Sequence, residues 1–311
     1  CGGTLIGSGS SITVSPTSDT TYYVRYKSGC SVTGCISLTV TTSVSITNAP
    51  TATSVCASAS NQTTPLTYSA TTGSPSTYSI VWNSTPSNSF VDVTDAALPT
   101  GAIQITVPGG TAAGTYTGTI TVKNVNGCQS VGDTFSVIVN AVPTITTSGT
   151  INAVCFNASA TTTTVLAYTA TTGSPNSYSI DWNAAANSAG LTDQANTTQV
   201  FNSGSGNINI TIPANVNPGT YSGIMTIGNG NCTATQNVTI TVNPLPSAPT
   251  VGTITHPTCT VATGSFQITA FDSVRTYTFT PAVLSISGTG LVTANPDTYS
   301  FTVDNASGCI S

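Results

Sequence analysis

The stretch LTYSATTGSPSTYSIVWN at residues 66–83 decides the fold, because it returns as LAYTATTGSPNSYSIDWN at residues 166–183. The two stretches lie 100 residues apart, and Trp82 in the first corresponds to Trp182 in the second. A period of about 100 residues is the length of one β-sandwich domain and far exceeds one turn of a solenoid. The sequence therefore predicts two copies of one domain.

Each copy continues into a second repeated stretch. ITVPGGTAAGTYTGTITVKNVNGC at residues 105–128 matches ITIPANVNPGTYSGIMTIGNGNC at residues 210–232, and both end in cysteine. Apolar and small residues alternate with polar ones here and in the strand that follows, which predicts half-buried β-strands. The predicted inward-facing residues are Tyr116, Gly118, Ile120, Val122, Phe135, Val137 and Val139 in the first copy, and Tyr221, Gly223, Met225, Ile227, Val238, Ile240 and Val242 in the second.

Two shorter units flank the repeats, and residues 1–46 match the back half of a sandwich. We therefore predict an all-β chain of tandem immunoglobulin-like β-sandwich domains. Its units are a truncated domain at residues 1–46, full domains at 47–145 and 146–246, and a shorter β domain at 247–311. The joints between them are short and contain proline, which stiffens linkers, so a semi-rigid rod is expected.

The chain carries very little charge. Charged residues make up 4% of it, against about a quarter of an ordinary domain. The four basic residues, Arg25, Lys27, Lys123 and Arg275, are too few and too scattered to bind nucleic acid. No apolar run reaches the length of a membrane-spanning helix, about 18–20 residues, so direct membrane insertion is not expected. The start at Cys1 and the odd cysteine count indicate a piece of a longer chain, whose neighbouring domains would be partners.

Nine cysteines lie far apart in a chain rich in serine and threonine. Since none forms a Cys-x-x-Cys pair, no zinc site is expected, and the spacing favours disulfides that close long loops in an oxidising compartment. Pairing the first cysteine of each domain with the cysteine before its last strand predicts the bonds Cys56–Cys128, Cys155–Cys232 and Cys259–Cys309. For the first unit we expect Cys1–Cys35, with Cys1–Cys30 as the alternative, and Cys30 otherwise paired upstream of this chain.

No constellation of residues predicts catalysis, a metal site or a cofactor site. The single histidine, His256, precedes a proline in a linker and has no nucleophile motif beside it. Asp92 and Asp95 offer oxygen ligands for calcium, but a full calcium-loop motif is missing, and loop acids are the simpler interpretation. Trp82 and Trp182 could stack on sugars, but each ends an alternating strand, which favours burial in a sandwich core. We expect no enzyme activity.

Several segments resemble known surface proteins. They are CGGTLIGSGSSITVSPTSDTTYYVR from Cys1, the two ATTGSP stretches, THPTCTVATGSFQITAF from Thr255, and PDTYSFTVDNASGC, which ends at Cys309. Together they resemble repeat domains of giant surface proteins of the Bacteroidota, and the last two are similar to the SprB-type repeat of flavobacterial gliding-motility adhesins. The resemblance implies export by the type IX secretion system and display at the outer membrane or in the surrounding matrix.

The same resemblance implies O-glycans on Asp-Ser/Thr-Xaa motifs. The tripeptides DTT at 19–21 and DSV at 272–274 match and offer Thr20 and Ser273 as glycosylation sites. The alternative interpretation is an ordinary aspartate before a hydroxyl residue in a turn.

Repetition and resemblance together predict a structural stalk segment of a giant cell-surface adhesin, used in gliding motility or surface attachment. Three alternatives stay open at this point. They are an array of polysaccharide-binding modules, an accessory region of a large secreted enzyme, and a subunit of an extracellular filament. Besides neighbouring domains, the expected partners are surface polysaccharide and the secretion or motility machinery.

Overall fold

The computed structural model describes residues 3–16, 19–49 and 51–311. The chain divides into two compact units, Cys1–Val142 and Pro143–Ser311. Both consist mainly of β-strands, as expected for a chain rich in threonine, valine and isoleucine, which suit a pleated and half-buried surface. Among the described residues, no helix is long and apolar enough to cross a membrane.

The first unit begins with two small hairpins and continues into a two-layer sandwich. Its strands are β1 (Thr20–Val24), β2 (Lys27–Ser28), β3 (Ser31–Val32), β4 (Ile36–Val40), β5 (Ser45–Asn48), β6 (Val55–Cys56), β7 (Gln62–Thr72), β8 (Thr77–Trp82), β9 (Val93–Ala97), β10 (Ala102–Val107), β11 (Gly114–Lys123) and β12 (Asp133–Asn140). The hairpins pair β1 with β4 and β2 with β3, both antiparallel.

The sandwich of the first unit has an immunoglobulin-like strand order. One sheet runs β10-β7-β5 and the other runs β6-β12-β11-β8-β9. All of these pairs are antiparallel except β6 and β12, which are parallel. The first strand of the sandwich is thus divided, with β5 at the edge of one sheet and β6 at the edge of the other. Alternating residues of both sheets point inward and form the core between them.

The second unit contains a sandwich of the same order and a smaller one behind it. Its elements are β13 (Thr144–Thr147), β14 (Val154–Cys155), β15 (Thr162–Thr172), β16 (Ser177–Trp182), α1 (Ala184–Ser188), β17 (Gln194–Thr198), β18 (Gly206–Ile212), β19 (Gly219–Gly228), β20 (Thr233–Asn243), β21 (Thr250–Thr255), β22 (Gly264–Thr269), β23 (Tyr277–Thr280), β24 (Ser285–Ile286), β25 (Leu291–Ala294) and β26 (Ser300–Val303). The second sandwich has sheets β13-β15-β18 and β14-β20-β19-β16-β17. The third has sheets β21-β22-β25-β24 and β23-β26.

The predicted all-β fold and the predicted inward faces are confirmed. In β11, Tyr116, Gly118, Ile120 and Val122 are buried while the residues between them are more exposed. The second copy keeps the same alternation, although Tyr221 at the start of its strand is only half-buried. Two predicted boundaries, 46/47 and 145/146, lie inside β5 and β13. Neither strand contains a glycine or a proline that would mark its bounds in the sequence.

A tyrosine at the start of β11, near the start of β19 and directly before β26 bonds back to the loop that precedes the strand. The Tyr116 hydroxyl donates to the carbonyl of Ala112 at 2.8 Å. The same bond joins Tyr221 to Asn217 at 2.8 Å, and in the third sandwich Tyr299 to Asn295 at 3.1 Å. Such a tyrosine corner is a hallmark of immunoglobulin-like sandwiches. Residues 247–311 therefore use the same strand connection as the two full copies.

A glycine lies opposite each tryptophan in the neighbouring strand. Gly118 pairs with Trp82, and Gly223 pairs with Trp182. A Cβ atom on Gly223 would lie 2.8 Å from Cε3 of Trp182 and 2.9 Å from the carbonyl oxygen of Asp181. The backbone carbonyl cannot move aside easily, so only glycine leaves room for the indole ring.

We expect Gly223→Ala to lower the free energy of unfolding of the second sandwich by about 1–3 kcal/mol, the usual cost of overpacking a core. Urea unfolding followed by Trp182 fluorescence in a Trp82→Phe background checks this, because the chain has two tryptophans. Gly204→Ala is the matched control, since nothing lies within 4 Å of its Cβ position. Equal unfolding midpoints for the two variants would contradict the packing argument.

Candidate functional site

Each sandwich carries a cysteine in a turn near its end, after β11, β19 and β26 respectively, and the turns share one architecture. They span residues 124–128, 229–232 and 305–309, each from an asparagine to a cysteine. The asparagine side-chain oxygen accepts the backbone N–H of the cysteine at 3.0, 2.8 and 3.0 Å. The asparagine backbone N–H donates to the cysteine carbonyl at 3.0, 3.1 and 3.0 Å. The closed turn therefore fixes where each sulfur lies.

A second set of cysteines lies near the start of each sandwich. Cys56 in β6 pairs with Asn140, and Cys155 in β14 pairs with Asn243. Both asparagines are the last residues of their strands, so these cysteines lie where the chain leaves each full sandwich. The corresponding cysteine of the third sandwich, Cys259, is exposed in the turn before β22.

The two sets meet in a disulfide between the second and third sandwiches. Cys155 is bonded to Cys309, with a Cα–Cα distance of 5.6 Å and a sequence separation of 154 residues. Cys309 is 1% exposed. In the same turn, the Asn305 side-chain nitrogen donates to the carbonyl of Pro244 at 2.9 Å. Since Pro244 follows directly on Asn243, the bond and this contact fasten the turn of the third sandwich to the end of the second.

The predicted pairings Cys56–Cys128, Cys155–Cys232 and Cys259–Cys309 are wrong. Cys128 and Cys259 are free thiols, and Cys155 holds Cys309. Strand length explains the error. Cys155 lies beside the last residue of β20, whereas Cys232 immediately precedes its first residue. The 11 residues of β20 separate the two by about 36 Å at about 3.3 Å per residue.

The cysteines of the first unit fit the prediction less directly. Cys35 and Cys56 each take part in a disulfide, and so does Cys232 in the second unit. Cys1 lies outside the described residues, so Cys1–Cys35 stays a prediction. Cys30 is an exposed free thiol in the turn between β2 and β3.

The two tryptophans have different environments. Trp182 is 4% exposed and shares a core cluster with Ala186 of α1 and with Leu191. Trp82 is only half-buried, stacked on Phe90 with ring centroids 4.2 Å apart. The predicted burial is thus confirmed for Trp182 and only partly for Trp82. The cause lies in the loops that follow, because residues 184–188 form a helix capped by the Asn183 side chain.

Trp82 lines a cleft of about 170 Å³ between the two sheets of the first sandwich. The other lining residues include Tyr78, Val91, Val93 and Gln104. The Trp82 side chain therefore faces an apolar opening that a flat ligand such as a sugar ring could enter.

The second sandwich carries a polar bridge at the corresponding place. The Tyr178 hydroxyl donates to the carbonyl of Asn209 at 2.8 Å and accepts from the Gln194 side-chain nitrogen at 2.6 Å. By strand register, Gln194 corresponds to Val93 in the first sandwich. A valine cannot make this bridge, so the two copies differ at this position.

Burial raises the pKa of Tyr178 above its ordinary value of 10.0, and the hydrogen bond from Gln194 partly offsets the rise. A raised folded-state pKa favours the neutral phenol, so its contribution to stability is fully present below about pH 10 and is lost as pH rises through the folded pKa. We expect Tyr178→Phe to remove a phenol that ionises above pH 10.0 from an alkaline absorbance titration. Tyr23→Phe, which removes an exposed phenol, is the control. An unchanged alkaline end of the Tyr178→Phe curve would contradict the assignment.

The acidic residues considered for calcium serve the strands instead. The Asp92 carboxylate accepts the backbone N–H of Trp82 at 2.8 Å, and Asp193 does the same for Trp182 at 2.9 Å. Asp95 forms an ion pair with Lys123 at 2.7 Å. In the described part of the chain, no group of three or more histidine, cysteine or acidic side chains lies close enough to hold a metal. His256 is exposed just after β21.

The two candidate glycosylation sites lie in different settings. Thr20 is half-buried at the start of β1. Its neighbour Asp19 accepts hydrogen bonds from the Thr42 backbone N–H at 2.7 Å and from the Thr42 hydroxyl at 2.9 Å, which lower the pKa of Asp19. Ser273 is exposed in a turn that Asp272 holds by accepting the backbone N–H of Val274 at 3.1 Å. Glycosylation at both positions stays a prediction.

No family model and no curated protein matches this chain. The chain is a tandem array of immunoglobulin-like sandwiches. Solved structures similar to it include fibronectin(III)-like modules of Clostridium thermocellum CbhA, at 10% identity over 65% of this chain and 94% of that one, with a TM-score of 0.35. They also include chicken CNTN1 domains FN1–FN3, at 13% identity over 86% and 93%, with a TM-score of 0.30. The assignment rests on this chain's own strand order and tyrosine corners.

Proposed function

We propose that this chain is a stalk segment of a large cell-surface adhesin, in which consecutive sandwiches hold a binding region away from the cell. The observation that carries the proposal is the Cys155–Cys309 bond, which joins the second sandwich to the third covalently in addition to the peptide linker. A bond between domains limits bending at the joint, which suits a spacer. Disulfides also fit an extracellular location.

The more specific proposal is a SprB-type adhesin of the Bacteroidota, exported by the type IX system and used in gliding or attachment. Its support is the sequence resemblance of the repeats and of the segment from Thr255 to Cys309. The scarcity of charge adds a second argument. With four basic residues in 311, the chain offers trypsin-like proteases few cleavage points outside the cell.

Shortening the stalk in the parent protein of the source bacterium tests the proposal. A strand of ten residues spans about 33 Å, so in-frame deletion of residues 45–246, which begins at the first residue of β5, is expected to shorten the reach of surface tethers by about 70 Å while adhesion persists. Tether rupture length on living cells, measured with a force probe, gives the reach. An unchanged reach would count against a stalk.

A length-restored variant separates a spacer from a binding module. Replacing residues 45–143 by a second copy of 144–246 keeps the domain number, cuts no strand and removes the Trp82 cleft. Reach and adhesion both at wild-type levels are expected for a spacer. Lost adhesion at unchanged reach would mean that the first sandwich binds the target.

Polysaccharide binding by the first sandwich is the second candidate, favoured by the half-buried Trp82 at an open apolar cleft. Affinity electrophoresis of the full chain through gels that contain surface polysaccharide tests it. Binding predicts slower migration of the wild type and of Trp82→Phe, which keeps an aromatic ring, and normal migration of Trp82→Ala. Equal migration of all three proteins, with and without polysaccharide, would eliminate this candidate.

A further inference from the structure

We propose that the edge of β4 that faces away from β1, together with the Cys128 thiol, forms a docking site for a β-strand that carries a cysteine. The strand is of the kind seen in β6 and β14, which lie near the start of their sandwiches and end in a cysteine; such strands are called entry strands below. It comes from another immunoglobulin-like sandwich, pairs in parallel with β4 and forms a disulfide with Cys128. The proposal does not depend on the adhesin function proposed above.

The bonded joint of the second unit shows how an entry strand docks. In β14, Cys155 pairs with Asn243, the last residue of β20. The next residue, Phe156, donates its backbone N–H to the Asn243 carbonyl at 2.9 Å. The Cys155 sulfur is bonded to Cys309 in the turn of the third sandwich. An entry strand, the end of a last strand and a turn cysteine therefore meet at one place.

The first unit contains two of these three parts. Thr41 lies four positions before Ser45, which begins β5, and Asn140 at the end of β12 lies four positions before Thr144, which begins β13. Thr41 therefore holds the place of the last residue of a last strand, directly after β4. The Cys128 thiol donates to the Thr41 hydroxyl at 3.0 Å. A turn cysteine thus lies beside Thr41 as Cys309 lies beside the end of β20.

Further contacts seat the turn of Cys128 on this end of the hairpin. The Asn126 side-chain nitrogen donates to the carboxylate of Asp19, which precedes β1. The same carboxylate accepts the backbone N–H of Thr42 at 2.7 Å. The half-buried Cys128 sulfur is therefore held at the end of β4 and is a free thiol.

Within the part of the chain that the structure describes, the entry strand is what this joint lacks. There β4 pairs only with β1, whereas its counterpart β12 lies between β11 and the entry strand β6. Ile36 and Leu38 of β4 are 73% and 59% exposed, while Phe135 and Val137 at the corresponding positions of β12 are buried. An open strand edge accepts an added strand through its backbone groups, and a two-stranded hairpin is only marginally stable by itself. The β4 edge therefore offers backbone partners, and Cys128 offers the sulfur.

Closing the site forms one disulfide. The Cys128 thiol and the thiol of the docked strand each lose one electron and one proton, and an oxidised dithiol takes up both electrons and both protons as it is reduced. A strand supplied as a mixed disulfide with glutathione needs no further oxidant. The Cys128 thiolate then attacks the sulfur of the strand, and glutathione leaves as a thiolate that takes a proton from water.

Thiol exchange between the full chain and an entry-strand peptide tests the proposal. The probe is TINAVCFN, residues 150–157, supplied as its mixed disulfide with glutathione. The matched control is the same peptide N-methylated at Phe156, which removes the N–H that donates to the last strand in the second sandwich. We expect the probe to occupy Cys128 about tenfold more than the control does, the equivalent of roughly 1.4 kcal/mol.

The exposed free thiol of Cys259 is the internal control and should take the two peptides equally. Cleavage before aspartate releases Cys128 in residues 95–132 and Cys259 in residues 193–271, so mass spectrometry measures the two occupancies separately. Equal occupancy of Cys128 by the two peptides would overturn the proposal. The same tenfold preference at Cys259 would also overturn it, because the preference would then belong to the peptide.

Hydrogen exchange separates docking from simple thiol reactivity. The adduct of Cys128 with the probe should slow amide exchange in residues 36–42, whereas an adduct with glutathione alone should leave it unchanged. Cys128→Ser should form no adduct at position 128 and should exchange in this segment as the free wild type does. An adduct with the probe that adds no protection would count against a docked strand. That result leaves the stalk proposal standing, because reach is measured separately on cells.

Discussion

Replacing Trp182 by alanine is expected to lower the free energy of unfolding of the second sandwich by about 3–5 kcal/mol, the usual range for truncating a buried aromatic side chain. Trp182 is 4% exposed and belongs to the main core cluster of its sandwich. Trp82→Ala in the first sandwich should cost less, because Trp82 is half-buried and one ring face rests on Phe90. Urea unfolding followed by circular dichroism measures both losses.

Conservative variants make the comparison specific. Trp182→Phe and Trp82→Phe keep an aromatic ring, and each should lose less stability than its alanine counterpart. The account requires the alanine loss at position 182 to exceed the loss at position 82. Equal losses, or a larger loss at position 82, would contradict the environments assigned to the two rings.

Removing the Cys155–Cys309 bond is expected to lower the stability of the second unit by about 5 kcal/mol, from the chain-entropy model for a long loop. The loop spans 154 residues, and its closure restrains the unfolded chain most strongly when the loop is long. The double variant Cys155→Ser/Cys309→Ser should unfold at a clearly lower urea concentration than the wild type. It should also let the second and third sandwiches unfold in separate transitions.

Cys259→Ser is the control for this experiment, because Cys259 is an exposed free thiol. Its unfolding midpoint should match that of the wild type. A double variant as stable as the wild type would mean that the bond does not restrain the unfolded chain. A large loss in Cys259→Ser would instead place Cys259 in a bond and contradict the pairing described above.

Much of the fold could be predicted from the sequence because burial follows strand periodicity. Ile120, Val122, Phe135 and Val137 alternate with polar residues, and all four point into the core of the first sandwich. The repeat then extended the assignment to the second sandwich. The domain boundaries 46/47 and 145/146 could not be predicted from the same pattern, since β5 and β13 run through them without a turn residue.

The disulfides could not be derived from spacing because spacing does not reveal the end of the sandwich at which a cysteine lies. The parallel pairing of β14 with β20 places Cys155 at the far end of the last strand, a strand length away from Cys232. The signal was present in the topology. The first strand of the sandwich is divided between the two sheets, as β13 and β14. Its second half, β14, therefore lies beside the end of the last strand, β20.

The different burial of the two tryptophans also has a signal in the sequences of the loops that follow them. Asn183 is followed by three alanines, which favour a capped helix, whereas the loop after Trp82 contains Pro86. The helix brings Ala186 into the core with Trp182, and the loop of the first copy leaves Trp82 half-buried at the cleft.

The distribution of aspartates in the sequence makes the Cys155–Cys309 bond directly measurable. Under non-reducing conditions, a protease that cleaves before aspartate releases Cys155 in residues 133–180 and Cys309 in residues 304–311. Cys232 and Cys259 leave together in residues 193–271. The Cys155–Cys309 bond therefore gives a linked product whose mass differs from that of any product linked through residues 193–271.

Mass spectrometry of this digest, after free thiols are alkylated, tests the account most directly. The account predicts that peptide 133–180 is linked to peptide 304–311, that reduction separates them, and that Cys259 carries the alkyl label. A link between 133–180 and 193–271, or between 193–271 and 304–311, would contradict it. Either link would restore disulfides confined to single sandwiches and remove the covalent joint between them.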